Sequence, residues 1–333
     1  MENPKVSIII LNYNGASFLK NCLLSVEKQT YPNIETIVID NNSSDESYKL
    51  VEGLSQVKLI RLDENFGYAK ANNLAVSKAT GELVLFLNND TELFSDMVEK
   101  LVESYQEKSI ICPAQILMVN RGNDNIGSTG NGMDIFGYPY VDVDSRKTKL
   151  FYVDGAAIFI SKKDFIDIGM FDEKLFMFQE DIDLSWRAQL MGYKLIQCWD
   201  AKFYHFSGGA ATGGGLKSKQ YETSYFRRYM NEKNIIRNIL KNYSILMVLI
   251  ILPILIFGHF LEIVILSAMF KWKVVGCYFK AYNWNIVNLA DTFRYRKGVQ
   301  KNRVVSDFYL LHRMYFAYSK FTSLVRVGIP KFK

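Results

Sequence analysis

The four cysteines of this chain, Cys22, Cys112, Cys198 and Cys277, stand far apart, and none belongs to a Cys-x-x-Cys pair. That spacing excludes the usual zinc ligand set and a dithiol redox centre, and it fits a reducing compartment. No Gly-x-Gly-x-x-Gly follows the first apolar stretch, so the fingerprint of dinucleotide binding is missing. The apolar run at residues 6–11 is too short for a signal peptide and suits a strand, so the N-terminal half is expected to stay in the cytosol. The net charge is +6, yet no recognisable nucleic-acid motif accompanies the basic residues, and no nucleic-acid partner is expected.

What is present is a division of charge. Residues 1–215 carry 20 Lys and Arg against 29 Asp and Glu, a net of −9, whereas residues 216–333 carry 20 against 5, a net of +15. An acidic binding domain over 1–215 followed by a basic region over 216–333 is the expected organisation.

The acidic part alternates strand and helix signals. Apolar runs at residues 6–11, 34–39, 57–62, 83–87 and 110–112 alternate with segments of helical period, which predicts an α/β fold with a mostly parallel central sheet and helices on both faces. Several of these runs stop abruptly at polar residues: Asn12 and Asn14 after the first, Asp40 and Asn42 after the second, and Asn88, Asn89 and Asp90 after Leu83-Val-Leu-Phe-Leu. Ligands in such sheets sit beyond the carboxyl ends of the strands, so Asn88, Asn89 and Asp90 are candidates to hold a cation or a phosphate, and Asp40 to accept hydrogen bonds from a nucleobase or ribose. Asn65, Gly67, Lys70 and Asn72 follow the third run and are candidates to line a nucleotide pocket; capping and turn formation explain the asparagines equally well.

Further on, Asp154-Gly155-Ala-Ala opens another apolar strand with residues small enough to admit a substrate. Glu180-Asp181-Ile-Asp183-Leu-Ser-Trp-Arg187 crowds three carboxylates at a helix start, where the helix dipole favours negative charge. Asp183 and Arg187 have the i, i+4 spacing of a helical ion pair. Apolar walls and neighbouring carboxylates would raise one of these acids toward working pH and fit it as a general base.

Taken in order, Val-Ser-Ile-Ile-Ile-Leu-Asn-Tyr-Asn, Asp40-Asn-Asn-Ser-Ser-Asp, Asn65-Phe-Gly-Tyr-Ala, Asn88-Asn-Asp and Phe171-Asp-Glu with Glu180-Asp-Ile-Asp-Leu-Ser-Trp-Arg resemble the inverting glycosyltransferases of family 2 across residues 5–215. The resemblance implies the type A nucleotide-sugar-binding fold. It implies Asp40 on the donor base and Asp90 with His205 on Mg²⁺ or Mn²⁺ against the donor diphosphate. Asp181 would be the base, with Glu180 beside it as orienter or alternative base, and Asp154, Gly155 and Arg187 would face the acceptor. Strict members have Asp where this chain has Asn88, and the Asn form looks like the rhamnosyltransferase-like branch, implying a dTDP- or UDP-linked deoxysugar. A non-catalytic nucleotide-binding membrane scaffold is the alternative, supported by Asn88 alone. The processive synthases are set aside, since no Gln-x-x-Arg-Trp run is present. The glycine-rich residues 208–215 are expected to form a lid or a linker.

In the basic region, residues 245–261 carry no formal charge, while residues 216–241 hold seven Lys and Arg and residues 271–333 thirteen. Positive charge on both flanks argues for both ends lying in the cytosol. The expectation is a membrane-associated helical region, broken or re-entrant near Pro253, that meets lipid at the cytoplasmic face of the cell membrane. A glycan or polyprenyl-linked acceptor and cell-wall polysaccharide assembly follow from that placement.

Overall fold

The computed structural model describes residues 3–117, 132–140, 148–206, 214–217, 220–328 and 331–332. Two compact units result: Met1–Asn131, Asp142–Ala188 and Tyr193–Ala211 form one, and Gly132–Val141, Gln189–Gly192 and Thr212–Lys333 the other.

In chain order the first elements are β1 (Val6–Asn12), α1 (Leu19–Glu27), β2 (Ile34–Asp40), β3 (Val57–Arg61), α2 (Gly67–Lys78), β4 (Leu83–Asn88), β5 (Thr91–Leu93), α3 (Met97–Ser104) and β6 (Ser109–Leu117). After two short strands of the second unit, β7 (Gly132–Met133) and β8 (Pro139–Tyr140), come β9 (Ala157–Ser161), α4 (Lys162–Asp167), α5 (Glu180–Leu190) and β10 (Lys194–His205). The first unit's strands make one sheet in the order β3-β2-β1-β4-β9-β6-β10-β5. Its first four strands are parallel, as are β6 and β10. β9 runs antiparallel between β4 and β6, and β5 is antiparallel to β10.

The central strands are buried on both faces, which is why they read as unbroken apolar runs. Register then sets the polar edge. Asn12 pairs with Asp40 and Leu11 with Asn88, so the strand ends carrying the polar residues align at one edge of the sheet. Leu87 pairs with Ala157 on β9, and the Asn88 N–H donates to the Ala156 carbonyl at 3.0 Å, which brings the segment from Asp154 to the same edge. His205 pairs with Thr91, placing it beside Asp90.

The second unit continues with β11 (Gly214–Lys217), β12 (Gln220–Thr223), α6 (Tyr225–Asn242), α7 (Ile245–Ala268), α8 (Trp272–Val287), α9 (Leu289–Lys301), α10 (Asp307–Leu311), α11 (Ser319–Val327) and β13 (Lys331–Phe332). Residues 208–213 of the expected lid lie outside the described residues, and Gly214 and Gly215 belong to β11. Buried α6 is unusually polar. Glu232 is met by Arg228 at 3.0 Å, Lys320 at 2.7 Å, His259 at 3.1 Å and the Tyr138 hydroxyl at 2.7 Å, while Arg237 donates to Asp291 and Thr292. Charges so enclosed persist because each has partners that replace water.

The break expected at Pro253 is absent: α7 is one 24-residue helix that runs through the proline. The proline removes one backbone hydrogen bond and crowds the carbonyl four residues back, yet the helix continues, and the Ser244 side chain caps its start by accepting from the Met247 N–H. Met247, Ile251, Leu255 and His259, each four residues on, turn inward, and His259 bonds Tyr138 and Tyr282. The opposite face is exposed and apolar, with Leu249 67 % and Phe257 61 % accessible.

Candidate active site

Asn12 is the organising side chain of the polar edge. Its Nδ2 donates to Asp40 Oδ1 at 2.8 Å and Ser47 Oγ at 2.7 Å, and its Oδ1 accepts from Asn89 Nδ2 at 2.8 Å. Gly15 closes over this cluster: a Cβ there would lie 2.1 Å from Asn89 Nδ2 and 2.2 Å from Asn12 Oδ1. Asp40 also accepts from Ser43 Oγ at 2.6 Å and the Ser43 N–H at 3.2 Å, so its carboxylate is fixed before any ligand arrives. Asn41, which the sequence reading passed over, is the buried neighbour; it bonds Asn65 and the Phe66 N–H and shapes the loop leading to α2.

Several residues expected to touch ligands have partners within the protein. Asn12 is wholly buried and bonded to Asp40. Asn65 accepts from Asn41 and the Gly67 N–H, and buried Asn72 donates to the Tyr68 carbonyl one helical turn back. Lys70 lies 3.6 Å over the Phe66 ring. Asn14 accepts from the Ser44 N–H, and Asn42 is exposed with φ of 65°. Asn88 is half-buried at the end of β4.

Arg187 is 1 % exposed, its Nε donates to Asp183 at 2.9 Å, and its other nitrogens donate to the Ile168 and Met170 carbonyls at 2.6 and 2.7 Å. The i, i+4 pairing with Asp183 is present, and the guanidinium clamps the loop before α5.

That loop is strained. Phe176 has φ 65° and ψ −68°, and the Met177 N–H donates to the Leu175 carbonyl at 2.8 Å, an uncommon γ-turn. Phe178 and Gln179 also have positive φ. Such strain persists where surrounding contacts over-determine it. Here the Phe176 carbonyl accepts from the Ala69 N–H at 3.1 Å against Gly67, whose φ is 73°. A Cβ on Gly67 would lie 2.4 Å from that carbonyl, so Gly67→Ala is expected to cost about 2–4 kcal/mol of stability, read as a lowered urea midpoint with unchanged slope.

The loop delivers Glu180 and Asp181 into the first turn of α5. Asp181 Oδ2 accepts from the Gly155 N–H at 3.0 Å, and the Tyr68 hydroxyl donates to the Gly155 carbonyl at 2.7 Å. Tyr68 was not singled out in sequence, although it sits in the Asn65-Phe-Gly-Tyr-Ala motif. Burial, and then the charge of Asp154, push the Asp181 carboxyl up to about 7 against the pull of the Ile182 and Gly155 N–H groups. Glu180 is driven well above the usual carboxylate range, first by burial and then by Asp181, and its Oε2 has no partner among the described residues. Both neighbouring carboxyls are thus raised above the usual carboxylate range, and they take up protons as a pair.

At the other end of the edge, Asp90 Oδ1 lies 3.2 Å from His205 Nε2, and the Phe206 N–H donates to the Asp90 carbonyl at 3.0 Å. Burial lowers the imidazole's proton affinity, but the bond and charge of Asp90 outweigh it and the net shift is upward. A carboxylate oxygen and an imidazole nitrogen converging in this way fit a divalent cation whose remaining ligands come from a bound diphosphate. Among the described residues no group of three or more His, Cys, Asp or Glu forms a complete cage.

Residues 7–169 match the family model for glycosyl transferase family 2, so the chain carries a family 2 glycosyltransferase domain. It is 26 % identical over 249 residues to the O-antigen biosynthesis protein RfbC of Myxococcus xanthus, covering 69 % of this chain and 20 % of that protein. To the O-antigen chain rhamnosyltransferase RfbN of Salmonella typhimurium it is 27 % identical over 214 residues, 60 % of this chain and 66 % of that one. The chain thus spans less than two thirds of the length of these curated relatives. The fold is shared with the crystal structure of GalNAc-T7 with UDP, GalNAc and Mn²⁺, at TM-score 0.57 and 20 % identity, over 72 % of this chain and 48 % of that one. The type A fold expected from the sequence is therefore the observed one.

Proposed function

We propose that the protein is a metal-dependent inverting glycosyltransferase that moves a sugar from a nucleoside-diphosphate donor to a hydroxyl of a glycan or polyprenyl-linked acceptor during polysaccharide assembly. The observation that carries this reading is the Asp181 carboxylate, aimed by the Gly155 N–H and tuned to ionise near neutrality. Asp181 takes the acceptor hydroxyl proton as the oxygen attacks the anomeric carbon. The bond from that carbon to the diphosphate oxygen breaks, and the diphosphate leaves with the electron pair. One displacement from the opposite face inverts configuration. Asp40 would fix the donor base, and Asp90 with His205 would hold a divalent cation, which when bound neutralises charge on the leaving diphosphate.

A dTDP- or UDP-linked deoxysugar such as rhamnose is the proposed donor, supported by Asn88 in the first position of its motif and by the similarity to RfbN. Membrane association at the cytoplasmic face is supported by the exposed apolar side of α7 and the +15 charge of residues 216–333. Helix α7 is long and apolar enough to cross a bilayer by length and composition. Its inward face, however, is engaged by His259 with Tyr138 and Tyr282 and by Glu262 with Lys320, which fits a helix lying in the interface.

The test is the pH dependence of turnover with the product's anomeric configuration read by NMR. A free carboxylate is required, so kcat/KM rises with pH through about 7 and levels above it. A flat profile from pH 5 to 9, or retained configuration, would contradict the assignment.

A further inference from the structure

The second unit contains a groove of about 760 Å³ between α6 and α8, walled by the aromatic rings of Tyr225, Tyr229 and Trp284. Lys273 and Lys280 line the same groove, two helical turns apart on one face of α8. Both lysines are exposed, and among the described residues neither has a carboxylate within ion-pair distance. Other cations of this unit are engaged by carboxylates: Arg228 and Lys320 by Glu232, and Arg237 by Asp291. Between the two lysines Gly276 leaves the floor open, since a Cβ there would meet nothing within 4 Å.

Next to this face of α8 runs an exposed apolar stripe at seven-residue spacing, Trp272, Phe279 and Ile286, with accessibilities of 59, 62 and 71 %. At 100° per residue the stripe lies about a quarter turn from the Lys273–Lys280 line. Cationic side chains over a polar-aromatic groove, bordered by apolar groups with no protein cover, match the boundary between lipid headgroups and acyl chains. We propose that the groove is a headgroup site for an anionic lipid: Lys273 and Lys280 hold the lipid phosphate, Tyr229 and Trp284 stand at headgroup depth, and Trp272, Phe279 and Ile286 enter the acyl region.

This inference rests on the membrane association proposed above and adds to it a defined site and a preference for anionic lipid. Nucleic acid, the other partner that bare lysines suit, would leave the apolar stripe in water, so lipid is favoured.

Co-sedimentation of the full chain with vesicles of phosphatidylcholine alone, and of phosphatidylcholine with 30 mol % phosphatidylglycerol, tests it. Wild type should bind both and prefer the anionic vesicles. Lys273→Ala/Lys280→Ala should weaken that preference roughly thirtyfold, the change carried by two lysine charges at an anionic surface. Gly276→Glu, which places a carboxylate in the groove at a helical site where glycine is no asset, should do the same. Binding to neutral vesicles and nucleotide release in detergent with membrane extract as acceptor source should persist in both. Lys297→Ala/Lys301→Ala, on exposed positions of α9, controls for diffuse charge and should cost much less. Equal losses from both lysine pairs, or a preference that survives Gly276→Glu, would overturn the site. Failure of wild type to bind either vesicle would instead remove the membrane reading beneath it. Loss of tRNA binding in the groove variants with vesicle binding unchanged would reassign the groove to nucleic acid.

Discussion

Asp181→Asn is expected to lower kcat by about 10²–10⁴-fold while leaving donor affinity and fold intact, because it removes the proton acceptor at the cost of one local backbone bond, that from the Ile182 N–H. The amide oxygen can still accept from the Gly155 N–H, so the link from Tyr68 through Gly155 to α5 survives, while the bond that the other carboxylate oxygen accepts from the Ile182 N–H at 2.8 Å is given up. The same variant should be more stable than wild type at pH 8. With its carboxyl raised from 3.8 to about 7, native Asp181 keeps a proton that the unfolded chain releases. That preference favours the native state fully below about pH 4 and is lost as pH rises through 7, beyond which wild type carries a buried charge. The gain on neutral substitution has a ceiling of about 4 kcal/mol, from roughly three pKa units. Melting temperatures at pH 8 and pH 4 check this: the variant should lead at the higher pH and lose its advantage at the lower. A catalytic loss accompanied by destabilisation at pH 8 would mean that Asp181 holds the loop together instead of serving as base.

Asp90→Ala carries the second large effect. Its carboxylate lies 3.2 Å from His205, two residues beyond β4, so removing it should deprive the site of the acidic ligand expected to hold a cation there. Turnover is expected to fall at least about 10²-fold, the size of loss seen when one charge-stabilising group is removed from an active site. Binding supplies the sharper readout. In wild type, Mn²⁺ with UDP or dTDP should raise the melting temperature more than nucleotide alone; in Asp90→Ala the increment due to metal should vanish while nucleotide alone still protects. A persistent metal increment would place the cation elsewhere.

Residues 83–90 are legible because burial on both faces leaves an uninterrupted apolar record and the polar stop marks the strand's end. The acidic start of α5 is legible because three carboxylates in one turn suit a helix N-terminus, where the dipole favours negative charge. The role of Asn12 is not. Its partners Asp40, Ser47 and Asn89 lie 28, 35 and 77 residues away, and only the register of β1 between β2 and β4 gathers them. The clamp of Arg187 on the Ile168 and Met170 carbonyls is hidden for the same reason, although its pairing with Asp183 could be read from spacing. Nothing local announces the γ-turn at Phe176, since phenylalanine has no preference for positive φ; its mark in sequence is Gly67, which gives way to the Phe176 carbonyl. Pro253 misleads because a single proline predicts a break that the rest of α7 does not make.

The central claim is transfer from a nucleotide sugar, and nucleotide release measures it most directly. The protein would be given a panel of dTDP- and UDP-sugars, with Mg²⁺ or Mn²⁺ or with chelator, and a membrane extract as the source of acceptor. The account predicts release from one donor that requires both metal and extract and is lost in Asp181→Asn. Metal-dependent binding of UDP or dTDP with no release from any donor in the presence of extract would contradict it and favour a nucleotide-binding scaffold.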